Sequence, residues 1–284
     1  MKRLAAYFEM TKARLTAMVI LTTWMGFAFA RPGVHGWLFV HTLLGSWLVA
    51  SGAAVLNQYI ERELDARMVR TQKRPLPSQR ISPRNALMFG LILSLAGAVE
   101  LALWANLLTC GLALLTLAIY LWVYTPLKTR SSLSTLIGAI PGAIPPMMGW
   151  TAATGRVSAE AWVLFAILFL WQLPHFLAIA WMYREDYARG GFPMLPVIDL
   201  EGDMTVRMIL LYTAVLVPVT LLPTGMGMAG LSCGIIALIL GAGFFACGAF
   251  VAWQRTMFSA RRLMFASILY LPILLGCLAW AHRS

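Results

Sequence analysis

Charge is what this 284-residue chain has least of: 12% of its residues are charged, against 60% that are hydrophobic. A soluble domain of that length cannot cover its surface with so few charges, so the bilayer is its natural solvent. Acids are scarcer than bases, eleven against 22, which leaves a formal net charge of +11. The basic residues lie in short gaps between apolar runs, not along a face interleaved with aromatics, which argues against a nucleic-acid partner. Cysteine is also sparse. Cys110, Cys233, Cys247 and Cys277 each sit inside an apolar stretch with no CxxC pair, so neither a zinc site nor a disulfide framework is indicated, and they read as small buried hydrophobes. No stretch suits a separate soluble domain, and residues 1–284 read as one domain.

What the chain does have is apolar runs of membrane length, about 20 residues each. Nine emerge, at roughly 14–31, 37–60, 86–105, 107–126, 133–153, 161–183, 207–224, 228–252 and 263–281. Only Asn106 separates the third from the fourth. The fold class is therefore all-α, an integral membrane bundle of about nine transmembrane helices. Ala28-Phe29-Ala30 resembles a signal-peptidase site, but the charged region before it is long and the run contains Trp24, so a retained first helix is expected. With the N-terminus inside, 19 of the 22 basic residues fall on the inner side, and only Arg31, Arg156 and Arg283 fall outside. That bias predicts a cytoplasmic N-terminus and an outer C-terminus.

Eight of the eleven acids fall in two groups, Glu61, Glu63 and Asp65, then Glu185, Asp186, Asp199, Glu201 and Asp203, at inner helix ends and the loops after them. Carboxylates near a membrane are costly and need a reason. Asn57, Glu61 and Asp65 are spaced i, i+4, i+8, so they line one helix face. Oxygen donors on one face suit magnesium, which keeps some water while bridging to phosphate. A solvated helix end pairing with Arg62, Arg67 and Arg70 is the plainer alternative. Arg67, Arg70, Lys73 and Arg74 follow directly, and bases for phosphate oxygens beside acids for a cation make a diphosphate site. Lys128 and Arg130 stand at the inner end of another span.

The second group starts at Trp171-Gln172-Leu173-Pro174-His175-Phe176 and runs to Glu185 and Asp186. Asp186 follows His175 by eleven residues, close to three turns, which places both on one face with His175 about 16 Å deeper. His175 reads either as a histidine hydrogen-bonded across helices or as a contact to a buried substrate group, including haem iron. Between the groups, Ile137 to Pro146 holds Gly138, Gly142 and three prolines. The glycines read as close helix packing, and the prolines as an irregular helix that is buried or lines a cavity.

On Asn57 to Pro77, Tyr124 to Gly155, Trp171 to Phe176 and Arg184 to Gly191, the chain resembles the intramembrane aromatic prenyltransferases, and within them the branch that farnesylates haem. The resemblance covers nearly the whole chain. It implies nine helices around a central cavity with the diphosphate at its cytoplasmic mouth. It also implies magnesium as cofactor, held by Asn57, Glu61, Asp65, Glu185 and Asp186. Asn57, Glu61, Asp65 and Asp186 would be the catalytic set. Arg67, Arg70, Lys73, Arg74, Lys128 and Arg130 would bind the diphosphate, and His175 the haem. Farnesyl diphosphate and haem b would be the substrates. A haem A synthase or an oxidase assembly factor is the implied partner, and a bacterial inner membrane the location. The sequence departs from the family's NxxxDxxxD by having Glu61 at the middle acid, and it has adjacent Glu185 and Asp186 in place of DxxxD. Prenyl transfer to a phenolic or quinone precursor is the near alternative, and a cation or haem transporter the distant one.

Overall fold

A computed structural model describes residues 2–30 and 36–281. Among these it contains helices and no strands. A short helix α1 (Lys2–Met10) precedes α2 (Ala13–Ala30), α3 (Trp37–Asp65), α4 (Pro83–Trp104), α5 (Leu107–Leu127), α6 (Ser134–Thr154) and α7 (Ala159–Met182). Two short turns follow, α8 (Arg184–Arg189) and α9 (Leu195–Ile198), then α10 (Asp203–Gly225), α11 (Leu231–Gln254) and α12 (Met257–Ala281). Eight of these helices are long and apolar enough to cross a membrane. The ninth long helix, α6, has 21 residues, but its glycines and prolines make it less apolar than the others. The expected nine spans correspond to these nine helices. Arg31 and Arg283 lie outside the described residues.

Local chemistry sets the helix ends. Ser82 accepts the Asn85 N–H at 3.3 Å, and Pro83 sits in the first turn, so α4 starts there. Asn106 caps α5 by accepting the Thr109 N–H at 2.8 Å, while its amide donates to Thr151 O on α6. A single polar residue therefore ends one apolar run, starts the next and fastens both to α6. Gly155 closes α6 in the left-handed region at φ 73°.

The helices pack as two groups. In one, α2, α3 and α5 pack around α6 and α4 packs on α3 and α5; in the other, α7, α10, α11 and α12 pack together, joined to the first through α6 and α7. The three prolines of α6 are buried against neighbours. A Cβ on Gly26 of α2 would lie 1.9 Å from Pro146 O, and one on Gly149 of α6 would lie 1.9 Å from Thr23 O. The α2 and α6 backbones therefore touch, which only glycine permits. Gly138 and Gly142 serve side chains instead: their open faces seat the Tyr124 ring and the Gln172 amide.

Candidate active site

The last two turns of α3 carry the polar centre of the molecule. Asn57, Glu61 and Asp65 are 2%, 3% and 1% exposed, on the single face that their spacing predicts. Each meets a cation from another segment. Lys12 Nζ donates to Asn57 Oδ1 at 3.3 Å and Lys128 Nζ to Glu61 Oε1 at 2.7 Å, while Arg74 donates to both Asp65 oxygens at 2.8 and 2.7 Å. Asn57 also donates to Thr125 Oγ1 at 3.2 Å, which holds its carbonyl oxygen towards Lys12. Glu63, half a turn away, is exposed and pairs with Arg62. The segments converge because α3 overruns its hydrophobic length. Thr71 donates to the Asp65 carbonyl, and the chain turns back so that Arg74 reaches the carboxylate it follows by nine residues.

Lys128 lies 5.3 Å from the Tyr124 ring and 5.0 Å from the Phe192 ring, so aromatic faces hold the ammonium as well as Glu61 does. Burial opposes its charge, but Tyr124 and Glu61 outweigh that and raise its pKa. Lys12 behaves oppositely: burial, then the nearby Arg74 guanidinium, lowers its pKa to about 7. A lysine before an apolar run satisfies the positive-inside rule by itself, so in the sequence Lys12 counts only among the inner bases. In the structure Lys12 sits at the break between α1 and α2, at φ 50°.

The second acidic group is arranged differently. Asp186 is buried, but its carboxylate accepts the backbone N–H groups of Val69 at 3.0 Å and Arg70 at 3.3 Å, and Arg189 at 3.0 Å. Burial works against its ionisation, yet Arg189 and these two amides hold its pKa below the usual carboxylate value. Asp186 thus fastens the loop after α3. Glu185 is exposed. The expectation that His175 and Asp186 share a helix face fails: α7 ends at Met182, and Tyr183 at φ −116° starts the separate turn α8. Of the basic residues expected at a diphosphate, the structure brings Arg74 and Lys128 to the acids. Arg67, Lys73 and Arg130 are exposed, and Arg70 stacks over Tyr183 and Tyr187 at 5.7 and 5.8 Å.

His175 lies in mid-membrane on α7, stacked on Trp171, with Nδ1 2.6 Å from Ser267 Oγ of α12. Ser267 Oγ itself donates to Met264 O at 2.6 Å. Its hydrogen is thereby used, so the serine oxygen accepts Nδ1–H and the Nε2 lone pair is left for a ligand.

Among the described residues no group of three or more His, Cys, Asp or Glu side chains is placed to hold a metal ion by itself. The oxygen set still fits magnesium. That ion binds through one or two carboxylates plus substrate phosphates and keeps its waters, and Glu61 and Asp65 with the Asn57 carbonyl supply hard donors of that kind.

The site's nine-helix frame and buried acid–base face are those of an intramembrane prenyltransferase. The UbiA prenyltransferase family model matches residues 19–271, and the chain belongs to that family. Within it, the chain falls among proteins named protoheme IX farnesyltransferase. The one from Solibacter usitatus is 49% identical over 280 residues, covering 95% of this chain and 96% of that protein. The one from Koribacter versatilis is 44% identical, covering 94% and 90%. Among solved structures, a digeranylgeranylglyceryl phosphate synthase superposes with a TM-score of 0.84 at 17% identity over 99% of both chains. A UbiA homologue from Archaeoglobus fulgidus, bound to GPP and Mg2+, gives 0.67 at 16% identity over 96% of this chain and 99% of that one. At these identities the structural matches establish the fold.

Proposed function

We propose that this protein transfers the farnesyl group of farnesyl diphosphate to a vinyl group of haem b, with addition of water, giving haem O. The observation that carries the reading is the 49% identity, over nearly the full length of both chains, to a protoheme IX farnesyltransferase. The buried face of Asn57, Glu61 and Asp65, ringed by Lys12, Arg74 and Lys128, supplies the matching chemistry. Magnesium, when bound there, neutralises the diphosphate as it leaves. Lys12, Arg74 and Lys128 are set to pair with phosphate oxygens, and Glu61 and Asp65 keep that cationic cluster in register until substrate arrives. The surrounding apolar helices exclude water from the allylic carbon.

As the C–O bond to diphosphate breaks, the terminal carbon of the haem vinyl group forms a C–C bond to the allylic carbon. The resulting cation sits beside the porphyrin ring; water adds there and gives up a proton, leaving a hydroxyl. The vinyl carbon is itself electron-rich, so no general base is required for attack. His175 Nε2 is available to the haem iron, with Ser267 fixing the ring as metal-ligating histidines are commonly fixed. The charge bias supports a cytoplasmic N-terminus and a diphosphate site at the cytoplasmic side of a bacterial inner membrane.

The test is incubation of purified protein in detergent with haem b, farnesyl diphosphate and magnesium, with products read by mass spectrometry. A haem product heavier by one farnesyl group and one hydroxyl, lost on chelation and in Asp65→Ala, supports the reading. Unmodified haem from folded, metal-supplied protein overturns it.

A further inference from the structure

We propose that the arginine-lined cavity at the inner end of α7 seats the propionate carboxylates of the haem acceptor. The inference rests on haem being the acceptor, and it assigns that substrate's polar edge. The cavity, of about 500 Å³, lies outside the Glu61–Asp65 centre and is bounded by the loop after α3, the end of α7, the α8 turn and the start of α12. Four guanidiniums line it, from Arg70, Arg184, Arg189 and Arg255, against Glu185 and Asp186 in the lining and Asp203 beside Arg255, so positive charge still exceeds negative and the cavity favours an anion. Trp181, Met182 and Met257 complete an apolar wall.

Three of the four guanidiniums are already held in place. Arg70 stacks on Tyr183 and Tyr187. Arg189 donates to Asp186 at 3.0 Å. Arg255 donates to Glu201 O at 2.9 Å and reaches Asp203 at 2.7 Å. Arg184 is exposed to the cavity and has no ion pair among the described residues. A cation of this kind, beside a fixed set of guanidiniums, is suited to forked pairing with a carboxylate.

The cavity calls for a ligand with anionic groups on one edge and a broad apolar body. Haem b has that shape, with both propionates on one side of a flat ring. Its position fits too. His175 lies seven residues before Met182 on the same unbroken helix, about 10 Å deeper. A porphyrin with its carboxylates at Arg184 and Arg255 therefore extends along α7 towards the free Nε2 of His175. The prenyl diphosphate has its own cations at Lys12, Arg74 and Lys128, so the two anionic substrates are kept apart.

The experiment is an absorbance titration of detergent-purified protein with haem b and with its dimethyl ester, which keeps the ring and iron but lacks both negative charges. Wild type is compared with Arg184→Gln/Arg255→Gln. Wild type is expected to bind the diacid at least about tenfold more tightly than the ester. The double variant should lose that preference, with ester binding and the KM for farnesyl diphosphate unchanged. Retained ester binding also shows that the variant is folded. Equal wild-type affinity for diacid and ester overturns the proposal, as does equal weakening of both in the variant. A raised KM for farnesyl diphosphate would assign the cavity to the diphosphate instead. Loss of co-purifying anionic phospholipid with haem affinity intact would assign it to lipid. Failure of the substrate reading looks different: wild type would bind neither haem form while prenylating a phenolic acceptor.

Discussion

The Glu61–Lys128 pair separates what the polar centre does for stability from what it does for catalysis. The two groups meet at 2.7 Å with side chains 4% and 13% exposed. Replacing Lys128 by Met leaves the Glu61 carboxylate buried without its cation. Replacing Glu61 by Gln leaves the ammonium with only Tyr124, Phe192 and its other neighbours. Breaking a buried pair from one side costs about 3–5 kcal/mol. At about 2–4 °C per kcal/mol for a chain of this size, each single variant should unfold about 6–20 °C below wild type. The double variant Glu61→Gln/Lys128→Met removes both charges together and should return to within about 1 kcal/mol of wild type. The assay is thermal unfolding of all four proteins in one detergent, beside turnover of farnesyl diphosphate. Stability should recover in the double variant and activity should not, because under the proposed mechanism the two side chains serve different partners, Glu61 the metal and Lys128 the diphosphate. Additive losses of under about 1 kcal/mol each would refute the buried-pair reasoning. Recovered activity in the double variant would refute the catalytic one.

Other perturbations have equally definite outcomes. Asp186→Ala strands the Val69 and Arg70 amides, so the loop that delivers Arg74 should loosen; the KM for farnesyl diphosphate should rise about tenfold or more while the magnesium requirement keeps its midpoint, and a shifted magnesium midpoint would instead make Asp186 a ligand. Ser267→Ala frees the His175 ring, and haem affinity measured by absorbance titration should fall about 10- to 100-fold, as for other histidines that lose their orienting partner. Gly26→Ala drives a methyl into the Pro146 carbonyl and should cost about 1–3 kcal/mol in unfolding experiments, or more if α2 and α6 cannot separate.

Much of the fold was legible because a bilayer demands runs of fixed length. Even Asn106, a single polar residue between two spans, suffices to divide them, since it satisfies the amides of one helix start and a carbonyl of α6. The face of Asn57, Glu61 and Asp65 was legible from i, i+4, i+8 spacing within one helix. Contacts between segments were not. Nothing in the local sequence distinguishes Lys12, which reaches Asn57 across 45 residues, from a lysine that merely marks the inner side. Arg67, Lys73 and Arg74 look alike in a run of bases, yet the turn after Asp65 brings only Arg74 back to it. The family resemblance implied a metal role for Asp186, but nothing in the local sequence announced that its carboxylate accepts from backbone amides more than a hundred residues earlier. The shared face of His175 and Asp186 failed for a local reason: the helix breaks at Tyr183, where no proline or glycine announces it.

The central claim is tested most directly by giving the purified protein, with magnesium and a limiting amount of farnesyl diphosphate, haem b and a phenolic acid acceptor in one vessel and weighing every prenylated product. The account predicts that the farnesyl group is recovered on haem alone, with one added water. Farnesyl on the phenol with haem unchanged would contradict it and leave only the prenyltransferase fold standing.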